Sequence, residues 1–164
     1  MAGEVPQIEV GQRADLVEVR LVDLPTDVHR AAAEHADELR REFTLLRAQR
    51  QGRSGGAVPD RLLDLMDDLE ARFSGFTDAT EQELEDAIAR GVASVELVFR
   101  VPPEAAAAAA ELGAMLDEAD DFCRSGDALL TLETPPAALA YRRWYLEEFS
   151  RQIDGLPPCP WSGT

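Results

Sequence analysis

Residues 95–101 read VELVFRV. Val95, Leu97, Phe99 and Val101 alternate with Glu96, Val98 and Arg100, the period-two pattern of a half-buried strand. Pro102-Pro103 stops that strand and opens an Ala-rich helix to about residue 124. Its inward residues are Leu112, Met115, Leu116, Ala119 and Phe122. Toward the N-terminus, residues 16–22 repeat the alternation, with Val17, Val19 and Leu21 on one side and Glu18 and Arg20 on the other. Between the two strands lie helical patterns. Residues 27–50 carry Val28, Ala32, Leu39, Phe43 and Leu46 on one stripe, with Thr26 or Asp27 able to cap. Residues 59–73 carry Leu62, Leu65, Met66, Leu69 and Phe73, and Ser74-Gly75 is expected to break that helix. The capping box of Thr80 and Glu83 then opens a short helix ending near Gly91.

Beyond residue 124, Ser125-Gly126 turns the chain, and residues 128–133 (ALLTLE) read as a short third strand or an extended connector. Thr134 caps and Pro135 starts a last helix to about residue 154. The expected fold is α+β and helix-rich, in the order β-α-α-α-β-α-(β)-α. A small two- or three-stranded sheet packs with about five helices. One domain, residues 14–155, is flanked by a polar N-terminus (1–13), expected to be mobile, and a Pro-rich tail (156–164).

The chain has 164 residues, with 32 Asp and Glu against 16 basic residues and a formal charge of −16. Such a surface repels phosphate backbones and anionic lipid, so neither nucleic acid nor membrane is expected as a partner. Every basic residue is Arg, and there is no Lys and no Asn. The missing Lys excludes a P-loop, a Schiff base and a kinase-type phosphate lysine. Residues 51–58 (QGRSGGAV) are expected to form a flexible Gly-containing loop and lack the Lys or flanking strand of a phosphate cradle. Residues 1–12 lack a basic start and an apolar run, which predicts no signal peptide and a cytoplasmic protein. Cys123 and Cys159 have neither CxxC nor metal spacing and read as reduced thiols.

The last helix holds two anomalies. At 100° per residue, Leu139, Tyr145, Leu146, Phe149 and Ile153 form the core face, and Arg142 falls in the middle of that arc. Its guanidinium must snorkel or find a carboxylate, because an unpaired buried charge is costly. Glu42, on the edge of the first helix's apolar stripe, is the expected partner in a structural ion pair. Trp144 lies opposite the apolar arc, beside Tyr141, Glu148 and Arg151, and an indole there needs a cover. The tail can fold back, bringing Trp161 over Trp144, or a partner protein or second subunit can dock there. A homodimer is one form of that cover.

His35, Glu38 and Glu42 invite a metal reading, but di-iron bundle sites use Glu-x-x-His twice with two further Glu. No metal and no cofactor is expected, and no catalytic residue is assigned. His35 has no sequence-local nucleophile to serve as base. The acidic groups of the helices lack the alternating ligands of a calcium loop.

Several pieces form a distinctive set: Arg41-Glu42-Phe43, Thr134-Pro135-Pro136, Arg142-Arg143-Trp144-Tyr145, Glu148-Phe149, Gln152 and Pro160-Trp161. Through them, residues 21–46 and 129–161 resemble a family of small actinobacterial proteins. These are encoded near anti-sigma ATPases, STAS-domain antagonists and serine phosphatases of partner-switching systems. The resemblance implies a role in signalling by proximity and carries no chemistry of its own. The leading expectation is therefore a non-enzymatic protein-interaction or regulatory module working through Tyr141, Trp144, Glu148, Arg151 and Trp161. A second is a small-ligand binder or enzyme with a pocket near His35, Glu38, Glu42 and Arg142. A third is a degenerate ATPase-like domain without nucleotide binding.

Overall fold

The computed structural model describes residues 15–50, 57–125 and 133–163. In chain order these form β1 (Val17–Pro25), α1 (Thr26–Gln49), α2 (Val58–Ala89), β2 (Ser94–Val101), α3 (Ala105–Arg124) and α4 (Pro136–Ile153). The fold is helix-rich α+β. The expected third strand at 128–133 lies, but for Glu133, outside the described residues.

The two strands pair antiparallel, with Val19 opposite Phe99 and Leu21 opposite Leu97. Their alternation puts Val19, Leu21, Leu97, Phe99 and Val101 on the buried face. Glu18, Arg20, Glu96 and Arg100 stand on the outer face, where Arg20 meets Glu18 at 2.5 Å and Glu96 at 3.3 Å. Exposed pairs of this kind contribute little to stability. β1 runs three residues beyond the expected Val22, to Pro25. It does so by bulging between Leu21 and Leu24, where Asp23 takes a left-handed φ of 56°.

The described residues hold four helices where about five were expected, because α2 runs unbroken through Ser74-Gly75. Glycine in a helix costs about 1 kcal/mol against alanine. Apolar residues on both sides of it, among them Leu62 and Leu84, are buried in the core, and that burial outweighs the local preference. The capping box is likewise unused. Thr80 sits inside α2, and its hydroxyl donates to the Val98 carbonyl of β2 at 3.0 Å. At the other end of the ribbon, Thr26 ties the start of α1 to the α2–β2 turn. Its N–H donates to the Ala93 carbonyl at 3.1 Å, and its hydroxyl to that of Val92 at 2.5 Å.

The interior has two centres. One joins the sheet's inner face to Leu84 of α2, Ala105 and Ala109 of α3, and Tyr141 and Phe149 of α4. The other is all helical: Leu39 and Phe43 of α1, Leu62 and Leu63 of α2, Ala119 and Cys123 of α3. Ion pairs of Arg40 with Asp67 (2.9 Å) and Arg47 with Asp60 and Asp64 (3.2 and 2.8 Å) zip α1 to α2. Helix α4 lies across the first centre, with β1 on one side and α1 and α3 on the other.

Candidate functional site

The sequence-flagged residues of α4 divide between two sides. On the β1 side, the C-terminal segment folds back over the helix. The Trp144 indole N–H donates to the Cys159 carbonyl at 2.8 Å. Its ring centroid lies 5.5 Å from that of Trp161, edge-on, and Tyr141 contacts both indoles at 5.9 Å. The Trp161 N–H donates to the Val22 carbonyl at 3.0 Å, a group that the β1 bulge leaves free of the ladder. Trp144 is thus sheltered by its own chain.

Glu148 is the anchor of this clasp. Only 1% of it is exposed. Its carboxylate accepts from the Cys159 backbone N–H (2.9 Å), the Gln152 side-chain amide (2.7 Å) and Arg151 Nε (3.1 Å). These charge-assisted bonds offset the desolvation of a buried carboxylate. Gln152 carries the contact on to the sheet. Its Oε1 accepts from the Arg20 backbone N–H at 2.8 Å, and its Nε2 donates to the Arg20 carbonyl at 2.7 Å. Tyr141 and Glu148, expected to face a wet or partner surface, are interior residues. The tail's return over the outer side of α4 puts them there.

On the side facing α1 and α3, a chain of polar groups replaces the expected Glu42–Arg142 pair. The carboxylates against the Arg142 guanidinium are Asp117 (2.6 Å) and Asp120 (3.0 Å) of α3. These acids sit three residues apart, on one face of the helix packed beside α4, so both reach the same cation. Asp120 also accepts from the Thr134 hydroxyl at 2.5 Å, and Thr134 Oγ1 lies 3.1 Å from His35 Nε2. With its proton on Asp120, the hydroxyl offers its lone pair to His35, which fixes the His35 proton on Nε2. The sequence marks Thr134 only as a helix cap, and Asp120 is one of the helical acidic residues that carry no ligand pattern. Their pairing joins two helices to a connector, so no local pattern announces it. The hydroxyl is buried and its proton is committed to Asp120, which makes Thr134 a strut rather than a nucleophile. Glu38 is exposed on α1 and does not line the cleft described next.

Nearly two turns away, the His29 Nδ1 and Tyr141 hydroxyl share a hydrogen bond of 2.8 Å, their rings edge to face. Burial pushes the His29 ring below its ordinary 6.5 and the Tyr141 phenol well above the usual tyrosine range. The pair is therefore uncharged near neutrality.

Between these two polar stations opens a cleft of about 230 Å3. Its walls are Ala32, Ala33 and Ala36 of α1, Leu112 and Leu116 of α3, and Ala138 and Leu146 of α4. The three alanines on α1 are too small to fill the space they line. His29, His35, Thr134, Tyr141 and Arg142 supply the polar rim. A concave apolar surface with a few converging polar groups is the form of a small-molecule site. Among the described residues, no group of three or more His, Cys, Asp or Glu is arranged to hold a metal ion. None of the described helices is long and apolar enough to cross a membrane. Compared with known proteins, the chain matches no family model, no curated protein and no solved structure.

Proposed function

We propose that this protein is a regulatory module that binds a small, largely apolar molecule in the α1–α3–α4 cleft, without chemistry performed on it. The observation that supports this reading is the cleft itself: an apolar trough between α1, α3 and α4 with a few polar groups among its lining side chains. The interaction-surface reading loses its support at Trp144, since the tail occupies the face it required. The resemblance of residues 21–46 and 129–161 to proteins encoded near partner-switching genes supports a signalling use of the occupied state. Ligand held between α1 and α4 stabilises their relative position, which is a signal that a partner protein could read.

The test is titration with 1-anilinonaphthalene-8-sulfonate, an apolar probe with one anionic group. Wild type, with a native near-ultraviolet circular dichroism spectrum, gives a saturable one-to-one fluorescence rise. Ala36→Phe, which puts bulk at the cleft wall, weakens that binding at least tenfold while the thermal midpoint stays within a few degrees. Equal binding by wild type and Ala36→Phe, or no binding by natively folded wild type, removes the reading.

A further inference from the structure

A second cavity, of about 390 Å3, lies between α2, α3 and α4. Ala105, Ala108 and Ala109 of α3 line it together with the rings of Phe73, Tyr145 and Phe149. Its polar lining comes mostly from α2. Glu70, Ser74, Asp78 and Glu81 recur there at steps of four, four and three, so they share one face of that helix. The three acids are exposed, which puts them where the cavity meets solvent.

These acids are not equally committed. Arg40, the one cation among the lining residues, is held by Asp67 at 2.9 Å and Glu70 at 3.5 Å. Asp78 and Glu81 form no hydrogen bond or ion pair with any described residue. The Tyr145 hydroxyl likewise has no hydrogen-bond partner among the described residues. No buried side-chain nitrogen or oxygen among those residues lacks a partner, so this unbonded hydroxyl stands in accessible space. Burial raises the Tyr145 phenol above the usual tyrosine range, and the Glu81 carboxylate adds to the rise. The phenol is therefore protonated, and it lies within the field of an acid of the mouth. Two carboxylates without a cation, at the edge of an aromatic hollow, complement an organic ammonium ion. Its N–H groups suit the acids and its hydrocarbon suits the interior. Sixteen excess negative charges draw such an ion in from a distance.

We infer that this cavity binds a protonated primary arylalkylamine, its ammonium at Asp78 and Glu81 and its aromatic body among Phe73, Tyr145 and Phe149. The site is distinct from the α1-side cleft and does not depend on the cleft's occupant. Tyr145 lines both spaces, but Ala36 lines only the cleft and Ser74 only this cavity, so variants at those two positions tell the sites apart.

The experiment is isothermal titration calorimetry with 1-naphthylmethylamine at pH 7.4 and low salt. Wild type binds the amine one to one. Asp78→Asn combined with Glu81→Gln weakens binding about tenfold, within the range of two exposed ion pairs. Glu83→Gln combined with Glu85→Gln takes the same two charges off α2 away from the cavity, and affinity stays within about twofold of wild type. Ala109→Met, which fills the hollow, abolishes binding. Ser74→Trp, at the mouth, does the same and covers the event that Ala109→Met does not fold. Ala36→Phe leaves amine binding unchanged. Equal weakening by the two double variants means attraction to the chain's overall charge and overturns the assignment, as does no weakening by the first. Amine binding that Ser74→Trp spares and Ala36→Phe removes puts the amine in the cleft and overturns the second site alone. No binding by natively folded wild type overturns it too, and leaves the cleft reading to its own anionic probe.

Discussion

Helix α4 has two flanks that solve the same problem in opposite ways. Each presents polar groups inside a mostly apolar setting. On the β1 flank, Glu148 and Gln152 are buried, and every bond they form is to the chain itself: the tail N–H, the Arg20 backbone and Arg151. On the α1 flank, Arg142, Thr134, His35, His29 and Tyr141 are also bonded within the chain, yet the space between them is left unfilled. The difference teaches where to look for function. Aromatic residues and a buried acid mark the flank that is closed for stability. Alanines and polar groups paired with one another mark the flank that is left open.

The largest test of this contrast is Glu148→Ala. Three donors lose their acceptor at once in a buried setting, which costs about 3–5 kcal/mol. Urea denaturation reads it, and a change under 1 kcal/mol would show that the clasp is not structural. Trp161→Ala comes next, at about 2–3 kcal/mol, since the half-buried indole is removed from over Trp144 and Tyr141. The Trp144 emission should move to longer wavelength as water reaches it, and an unshifted spectrum would mean the shelter lies elsewhere. On the open flank the effects are smaller. Thr134→Val keeps the shape and removes the hydroxyl, leaving Asp120 and His35 each one partner short, for about 1–2 kcal/mol. If its stability equals that of wild type, the polar chain is not a strut.

The smallest effect concerns His29. Its folded pKa lies below the ordinary value, so on acidification the unfolded chain binds a proton first. The contribution of the neutral ring is complete above about pH 6.5 and is lost as pH falls from there toward the folded pKa. The thermal midpoint of wild type should therefore fall relative to His29→Gln between pH 7.5 and 5.5. The comparison with the variant removes the opposing trend, in which acid relieves the repulsion of sixteen excess negative charges. Parallel curves would place His29 in a solvated setting.

Period and polarity sufficed for some of this. VELVFRV and residues 16–22 fall on the strands they predict, because a period-two pattern survives any surrounding. Ser74-Gly75 misleads, because a local preference near 1 kcal/mol yields to the packing of a long apolar stripe. Thr80 misleads for a related reason: its hydroxyl finds a strand carbonyl, which no spacing within the helix reveals. At α4, the need of Arg142 for an acid and of Trp144 for a cover can be read from the helical wheel. Which acid and which cover cannot, since both depend on how α3 and the tail lie against it. The cleft left no mark except alanines, and alanine is common throughout this chain.

Gln152 also guards the rim of the ribbon. A sheet of two strands has no interior strand, so each offers an unpaired row of amides to any neighbouring molecule. Gln152 presents its side-chain amide to Arg20 as another strand would, Trp161 takes Val22, and Thr80 takes Val98 on the opposite rim. Two side chains and the tail's backbone thus deny strangers a template, and fibrillar association of this protein should begin only after the C-terminus has let go.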